Sequence, residues 1–123
     1  MESITCLIVD DSSLFLEGAA DLLRREGLDV VGAASTSAEA IRLVGQLRPE
    51  VTLVDVDLGD EDGLALTRQL CENSAAAYTK VILVSTHAPE DLAPLVAASP
   101  ALGFIPKARL SAQAIRDALE RAA

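Results

Sequence analysis

Five short apolar runs recur along the 123 residues: ITCLIV (4–9), LDVVGAA (28–34), VTLV (51–54), VILV (81–84) and LGFI (102–105). Each is continuous rather than alternating and rich in β-branched residues. That is the composition of strands buried on both faces. The segments between them have helical spacing. Phe15, Ala19, Leu22 and Leu23 share one face, with Gly27 as a stop. Thr36 and Glu39 form a capping box, Ile41 and Val44 face inward, and Pro49 follows. A third helix starts near Gly63 with Leu66 and Leu70 on one side. A fourth runs from Pro89 to about Ser99-Pro100, and a fifth from about Ser111 carries Ile115, Ala118 and Leu119.

Five alternating βα units predict a parallel sheet covered by helices on both faces. A barrel would need eight such units, so the expected fold is α/β, an open doubly wound five-stranded sheet, (βα)5, in one domain spanning 1–123. Half of the residues are hydrophobic but only 2% are aromatic, so the core must be aliphatic.

The net charge of −9 argues against direct nucleic-acid binding by this chain. Cys6 and Cys71 belong to no CxxC or Cys/His cluster and read as small hydrophobes rather than thiolate ligands. The start has no signal-peptide pattern, and no apolar run reaches the roughly 18 residues of a membrane span. The expected setting is a reducing cytoplasm, with no membrane contact.

In open α/β sheets, ligands bind beyond the carboxyl ends of the strands. Polar residues gather at those ends here. Asp10-Asp11 follow the first strand, Asp55 and Asp57 the third, Ser85-Thr86 the fourth, and Lys107 the fifth. Clustered carboxylates repel one another unless a cation sits among them, and oxygen-only ligands favour Mg²⁺, Ca²⁺ or Mn²⁺. A Lys and a Ser beside such a metal suit a phosphoryl group, and an Asp there can attack phosphorus to form an acyl phosphate. Taken singly, each residue is equally a loop acid, a cap or a surface lysine. The combination carries the signal.

Two acidic motifs compete. DVDLGDEDGLAL (55–66) begins like an EF-hand loop, but position six is Asp60 instead of Gly and position twelve is Leu66 instead of Glu. LVDVD followed by Ser/Thr and Lys is similar to haloacid-dehalogenase-type phosphatases, which also use an aspartyl phosphate and Mg²⁺. There the D-x-D comes near the start of the domain and the acidic pair late. Here Asp10-Asp11 come first, so that enzyme is the alternative.

Acidic pair, Asp55, Ser85-Thr86 and Lys107 in GFIPK, in this order and over essentially the whole chain, resemble the receiver domain of two-component response regulators. The resemblance implies a flavodoxin-like strand order 2-1-3-4-5 and a signalling domain rather than an enzyme. It implies a phosphoacceptor at Asp55. Asp11 would bind Mg²⁺ (or Mn²⁺) directly, Asp10 through water, and Asp57 through its backbone carbonyl. Lys107 would pair with Asp55 or the phosphoryl oxygens. Ser85 would be the switch hydroxyl, the Thr86 N–H would hold the phosphoryl group, and Phe104 would be the aromatic switch. The implied partners are a sensor histidine kinase or phosphotransfer protein, with a possible homodimer through the fourth helix, fifth strand and fifth helix. Asp57 and His87 flank the site at positions that vary in the family.

There are departures. Gly59 replaces a proline often found four residues after the phosphoacceptor, which leaves that loop more flexible. Lys107-Ala108 replaces Lys-Pro, with Pro106 before the lysine. Phe104 lacks a tyrosine hydroxyl. The sequence reads to the end of the fifth helix, as a stand-alone receiver or as the receiver portion of a larger regulator; GFIPKA is similar to receivers that precede a helix-turn-helix domain. From Leu92 to Pro106 there is no charged side chain. Leu92, Leu95, Val96 and Ser99 are expected to face the sheet, leaving Ala93, Pro94, Ala97 and Ala98 toward solvent.

Overall fold

The computed structural model describes residues 3–73 and 79–122. Ala123, which the sequence reading includes at the end of the fifth helix, lies outside them. Strands β1 (Thr5–Val9), β2 (Asp29–Ala34), β3 (Val51–Asp55), β4 (Lys80–Ser85) and β5 (Gly103–Pro106) alternate with helices α1 (Ser13–Arg25), α2 (Ser37–Leu47), α3 (Gly63–Glu72), α4 (Pro89–Ala97) and α5 (Ala112–Ala122). All neighbouring strand pairs of the main sheet are parallel, in the order β2-β1-β3-β4-β5. This is the expected doubly wound order 2-1-3-4-5.

Alternation along each strand divides the core into two aliphatic layers. Cys6, Ile8, Leu53 and Val84 pack toward Leu23 of α1 and Ile115 of α5. Leu7, Val9, Val54 and Leu83 pack toward Val44 of α2, Leu66 of α3 and Leu92 of α4. The buried Thr52 hydroxyl of β3 is satisfied by that of Thr79, 2.9 Å away. Cys6 is fully buried, and burial pushes its thiol up to about 12. It is a core residue as expected.

Side chains start four of the helices at the carboxyl ends of the strands. Ser12 accepts from the Phe15 N–H, Thr36 from Glu39, Asp62 from Leu64 and Ser111 from Ala114. The Glu39 carboxylate in turn accepts from Ser35, completing the box one residue earlier than the usual partner.

Helix α4 differs from the expectation in two ways. It stops at Ala97, because Ser99 folds back on Val96 through both its N–H and its hydroxyl. Leu95, expected against the sheet, is 50% exposed. Leu92 and Val96, four residues apart, define a narrow contact stripe, and Leu95 falls beside it. Pro94 inside the helix also removes one backbone donor.

Candidate functional site

The strand ends converge as the pattern requires. Asp10 follows β1 and Asp55 closes β3, the neighbouring strand. Asp10, Asp11 and Asp55 each offer a carboxylate oxygen, and the three oxygens lie within 4.8 Å of one another. Asp10 and Asp55 are buried and Asp11 is exposed, so the cluster has a wet side and a dry side.

Lys107 enters from the end of β5. Its ammonium lies 2.6 Å from Asp10 Oδ2 and 3.4 Å from Asp55 Oδ2, and the side chain is only 15% exposed. The other Asp10 oxygen accepts the Ser12 N–H at 2.8 Å, and Asp55 Oδ1 accepts the Asp57 N–H at 3.2 Å. The Lys107 ammonium also stands 4.3 Å from the centroid of the Phe15 ring, which comes from the first turn of α1.

The electrostatics follow from this packing. Burial, and next the charge of Asp10, pushes the Asp55 carboxyl up to about 6, against the opposing pull of Lys107 and the Asp57 N–H. Burial alone would lower the Lys107 ammonium. Its contacts with Asp10 and Asp55 outweigh that and raise it. Asp10 and Asp55 thus share one ammonium, and Asp11 adds a third carboxylate beside them. The excess negative charge and the all-oxygen donor set fit a hard divalent cation such as Mg²⁺.

The remaining predicted residues divide. Ser85 is buried at the end of β4, and its hydroxyl accepts the His87 N–H at 3.0 Å. Thr86 is exposed beside it. Phe104 pairs in register with Leu83 and packs in the α3/α4 layer, the sheet face on which Ser85 also lies. The Asp57 carboxylate stands apart from the three clustered acids. It meets His87 Nε2 at 2.5 Å, so the two flanking residues span the gap between the loops after β3 and β4.

Gly59 does not leave a loose loop. At φ +62 it turns a short antiparallel pair, Asp57–Leu58 against Glu61–Asp62, and lies against Asp11. Proline, fixed near φ −65, cannot adopt that turn. Glu61 accepts the Ser37 N–H at 2.9 Å and ties the pair to α2. Gly63 is required on steric grounds, because a Cβ there would lie 1.9 Å from the Asp55 carbonyl oxygen. Lys107-Ala108 is trans, as is every described peptide bond, and opens a single 3₁₀ turn, Lys107–Arg109. A cis bond without proline would cost roughly 3–4 kcal/mol.

Helical spacing alone assigned Phe15 to the core. It does pack against the α1/α5 layer, but the ring also meets the site. Its place four residues after Asp11, on the turn that opens over the strand ends, was the available signal.

A model of the response regulator receiver domain matches residues 6–120. The transcriptional regulatory protein LiaR of Bacillus subtilis is 30% identical over 120 residues, covering 97% of this chain and 56% of LiaR. This chain therefore spans about half the length of that relative. The signal receiver domain of NarL from Mycobacterium tuberculosis superposes with a TM-score of 0.83 at 26% identity, covering 99% of this chain and 98% of that one. A Burkholderia pseudomallei response regulator, solved with a phosphorylated aspartic acid, a calcium ion and citrate, gives a TM-score of 0.79 at 26% identity over 95% of this chain and 66% of that one. None of these similarities supports the haloacid-dehalogenase alternative, and that reading is set aside. The 2-1-3-4-5 sheet agrees with that match, and the chain belongs to the response regulator receiver domains.

Proposed function

We propose that Asp55 accepts a phosphoryl group from a sensor histidine kinase, a phosphotransfer protein or a small phosphodonor. The observation that carries this is the setting of Asp55, with Asp10 and Asp11 within 4.8 Å and the Lys107 ammonium 3.4 Å away. A carboxylate oxygen of Asp55 bonds to phosphorus as the donor's bond to phosphorus breaks, and the departing group leaves with its electron pair and takes a proton. Asp11, Asp55 and the backbone carbonyl of Asp57 would hold Mg²⁺ directly and Asp10 through water, with Mn²⁺ as a substitute. Such an ion, when bound, would supply positive charge against the phosphoryl oxygens. Lys107, the Ser85 hydroxyl and the Thr86 N–H receive the phosphoryl oxygens.

The chain acts as one receiver domain over 1–123 and turns over no external substrate beyond its own phosphorylation and dephosphorylation. It works in the cytoplasm, with no direct nucleic-acid contact. Among the described residues no helix is long and apolar enough to cross a membrane. The output is the α4/β5/α5 surface. Ser85 and Phe104 repack and change its fit to a partner, to a second copy of this chain or to a linked output segment. The exposed Ala93, Pro94, Ala97 and Ala98 and half-exposed Leu95 support that reading.

Intact-protein mass spectrometry after incubation with Mg²⁺ and a small phosphodonor tests the assignment. Wild type should gain one phosphoryl mass and Asp55→Asn should not. Equal labelling of the two would refute it.

A further inference from the structure

Lys107 is a long, flexible side chain, yet its ammonium is surrounded on three sides. Asp10 Oδ2 lies at 2.6 Å, Asp55 Oδ2 at 3.4 Å, and the Phe15 ring centroid at 4.3 Å. The contacts close a circuit. Asp10 Oδ1 accepts the Ser12 N–H, and the Ser12 hydroxyl accepts the Phe15 N–H. The Phe15 ring faces the Lys107 ammonium, which returns to Asp10. Phe15 is only partly buried and rests on the α1/α5 core layer, so packing fixes the ring while one side of it stays open to the site.

An aromatic face carries negative quadrupolar charge and attracts a cation within about 6 Å of its centroid. A lysine ordered in advance loses less rotamer freedom when an anion arrives. From this geometry we infer that Phe15 is a positioning residue for phosphoryl capture. Its ring face holds the Lys107 ammonium over the gap between Asp10 and Asp55, ready for the phosphoryl oxygens. The inference rests on Asp55 being the phosphoacceptor, and the role of the ring is electrostatic as well as steric.

The test separates those contributions. Phe15 is replaced by 3,5-difluoro- and 3,4,5-trifluorophenylalanine, which keep the ring's shape while draining its face, and by Leu and Tyr. Two quantities are measured. One is the NMR shift of the Lys107 ε-methylene in metal-free protein, and the other is the affinity for beryllofluoride with Mg²⁺. The methylene should show a ring-current shift in wild type and in Phe15→Tyr that Phe15→Leu loses. Beryllofluoride affinity should fall stepwise with fluorination, by about five- to tenfold at the trifluoro ring, with Tyr near wild type and Leu at least as weak as trifluoro. Affinity that is flat across the fluorinated series would overturn the inference, as would a methylene shift unchanged in Phe15→Leu. Failure of wild type itself to bind beryllofluoride, or equal binding by Asp55→Asn, would overturn the phosphoacceptor reading and the inference with it.

Discussion

The ammonium of Lys107 lies closer to Asp10, at 2.6 Å, than to Asp55, at 3.4 Å. Asp55 is therefore the more loosely paired of the two buried carboxylates. Burial, and next the charge of Asp10, raises its carboxyl from 3.8 to about 6, and Lys107 offsets only part of that. A carboxyl raised by folding favours the protonated native state. Its stability is complete below pH 4 and is lost as the pH climbs through 6. Without divalent cation, Asp55→Asn should therefore be more stable than wild type at pH 7.5, by on the order of 2 kcal/mol. Urea denaturation should show the difference vanishing toward pH 4 and shrinking on addition of Mg²⁺. A gap that persists unchanged at pH 4 would trace to packing instead of charge.

Gly63 touches the backbone of the proposed acceptor. The Cβ of an alanine would overlap the Asp55 carbonyl oxygen, and neither backbone can retreat without moving the end of β3. Gly63→Ala should cost about 3 kcal/mol or more, at the upper end for overpacked core positions. It should also weaken beryllofluoride binding beyond what the loss of folded protein explains. A chemical denaturation midpoint within error of wild type would show that α3 can shift freely away from β3.

Asp57 and His87 meet at 2.5 Å beside the proposed phosphoryl position. Removing either member should change the decay of phosphorylated protein several-fold, within the range of single positioned polar groups. Because the residues act as a pair, Asp57→Ala and His87→Ala should shift the rate in the same direction, and the double variant should add little. Decay curves followed by mass spectrometry decide this. Fully additive effects would mean that the contact has no part in the lifetime.

Beyond its first turn, which carries Glu90 and Asp91, the outer face of α4 is uncharged and should respond to a single added charge. With coupling of roughly 1–3 kcal/mol, phosphorylation at the proposed acceptor should shift partner or self-association by about 5- to 150-fold. Ala97→Glu should abolish that shift in sedimentation with beryllofluoride while leaving mass-spectrometric labelling of Asp55 intact. An Ala97→Glu protein that associates like wild type would move the output surface elsewhere.

The strands were legible because burial on both faces leaves uninterrupted Val, Ile and Leu runs. The acids were legible because charge directly after such a run has few structural uses. Contacts made across the mouth of the site were not. The Asp57–His87 pair joins loops 30 residues apart, and the Phe15–Lys107 contact joins the first helix to the fifth strand. Neither leaves a periodic trace. Gly59 announced freedom in the sequence, but its left-handed φ serves a tight turn beside Asp11. Leu95 was misplaced because a nine-residue helix buries a stripe narrower than the average amphipathic face.

The aliphatic core has a practical corollary. The chain contains two phenylalanines and no tryptophan. Phe15 lies beneath the lysine and Phe104 lies on the sheet face of Ser85. Feeding cells ring-labelled phenylalanine would therefore yield a spectrum of two ring systems with no background from a bulk core. One would report the charge beside Asp55 and the other the layer under α4. Their relative timing after a phosphodonor is added would be readable as two separate clocks.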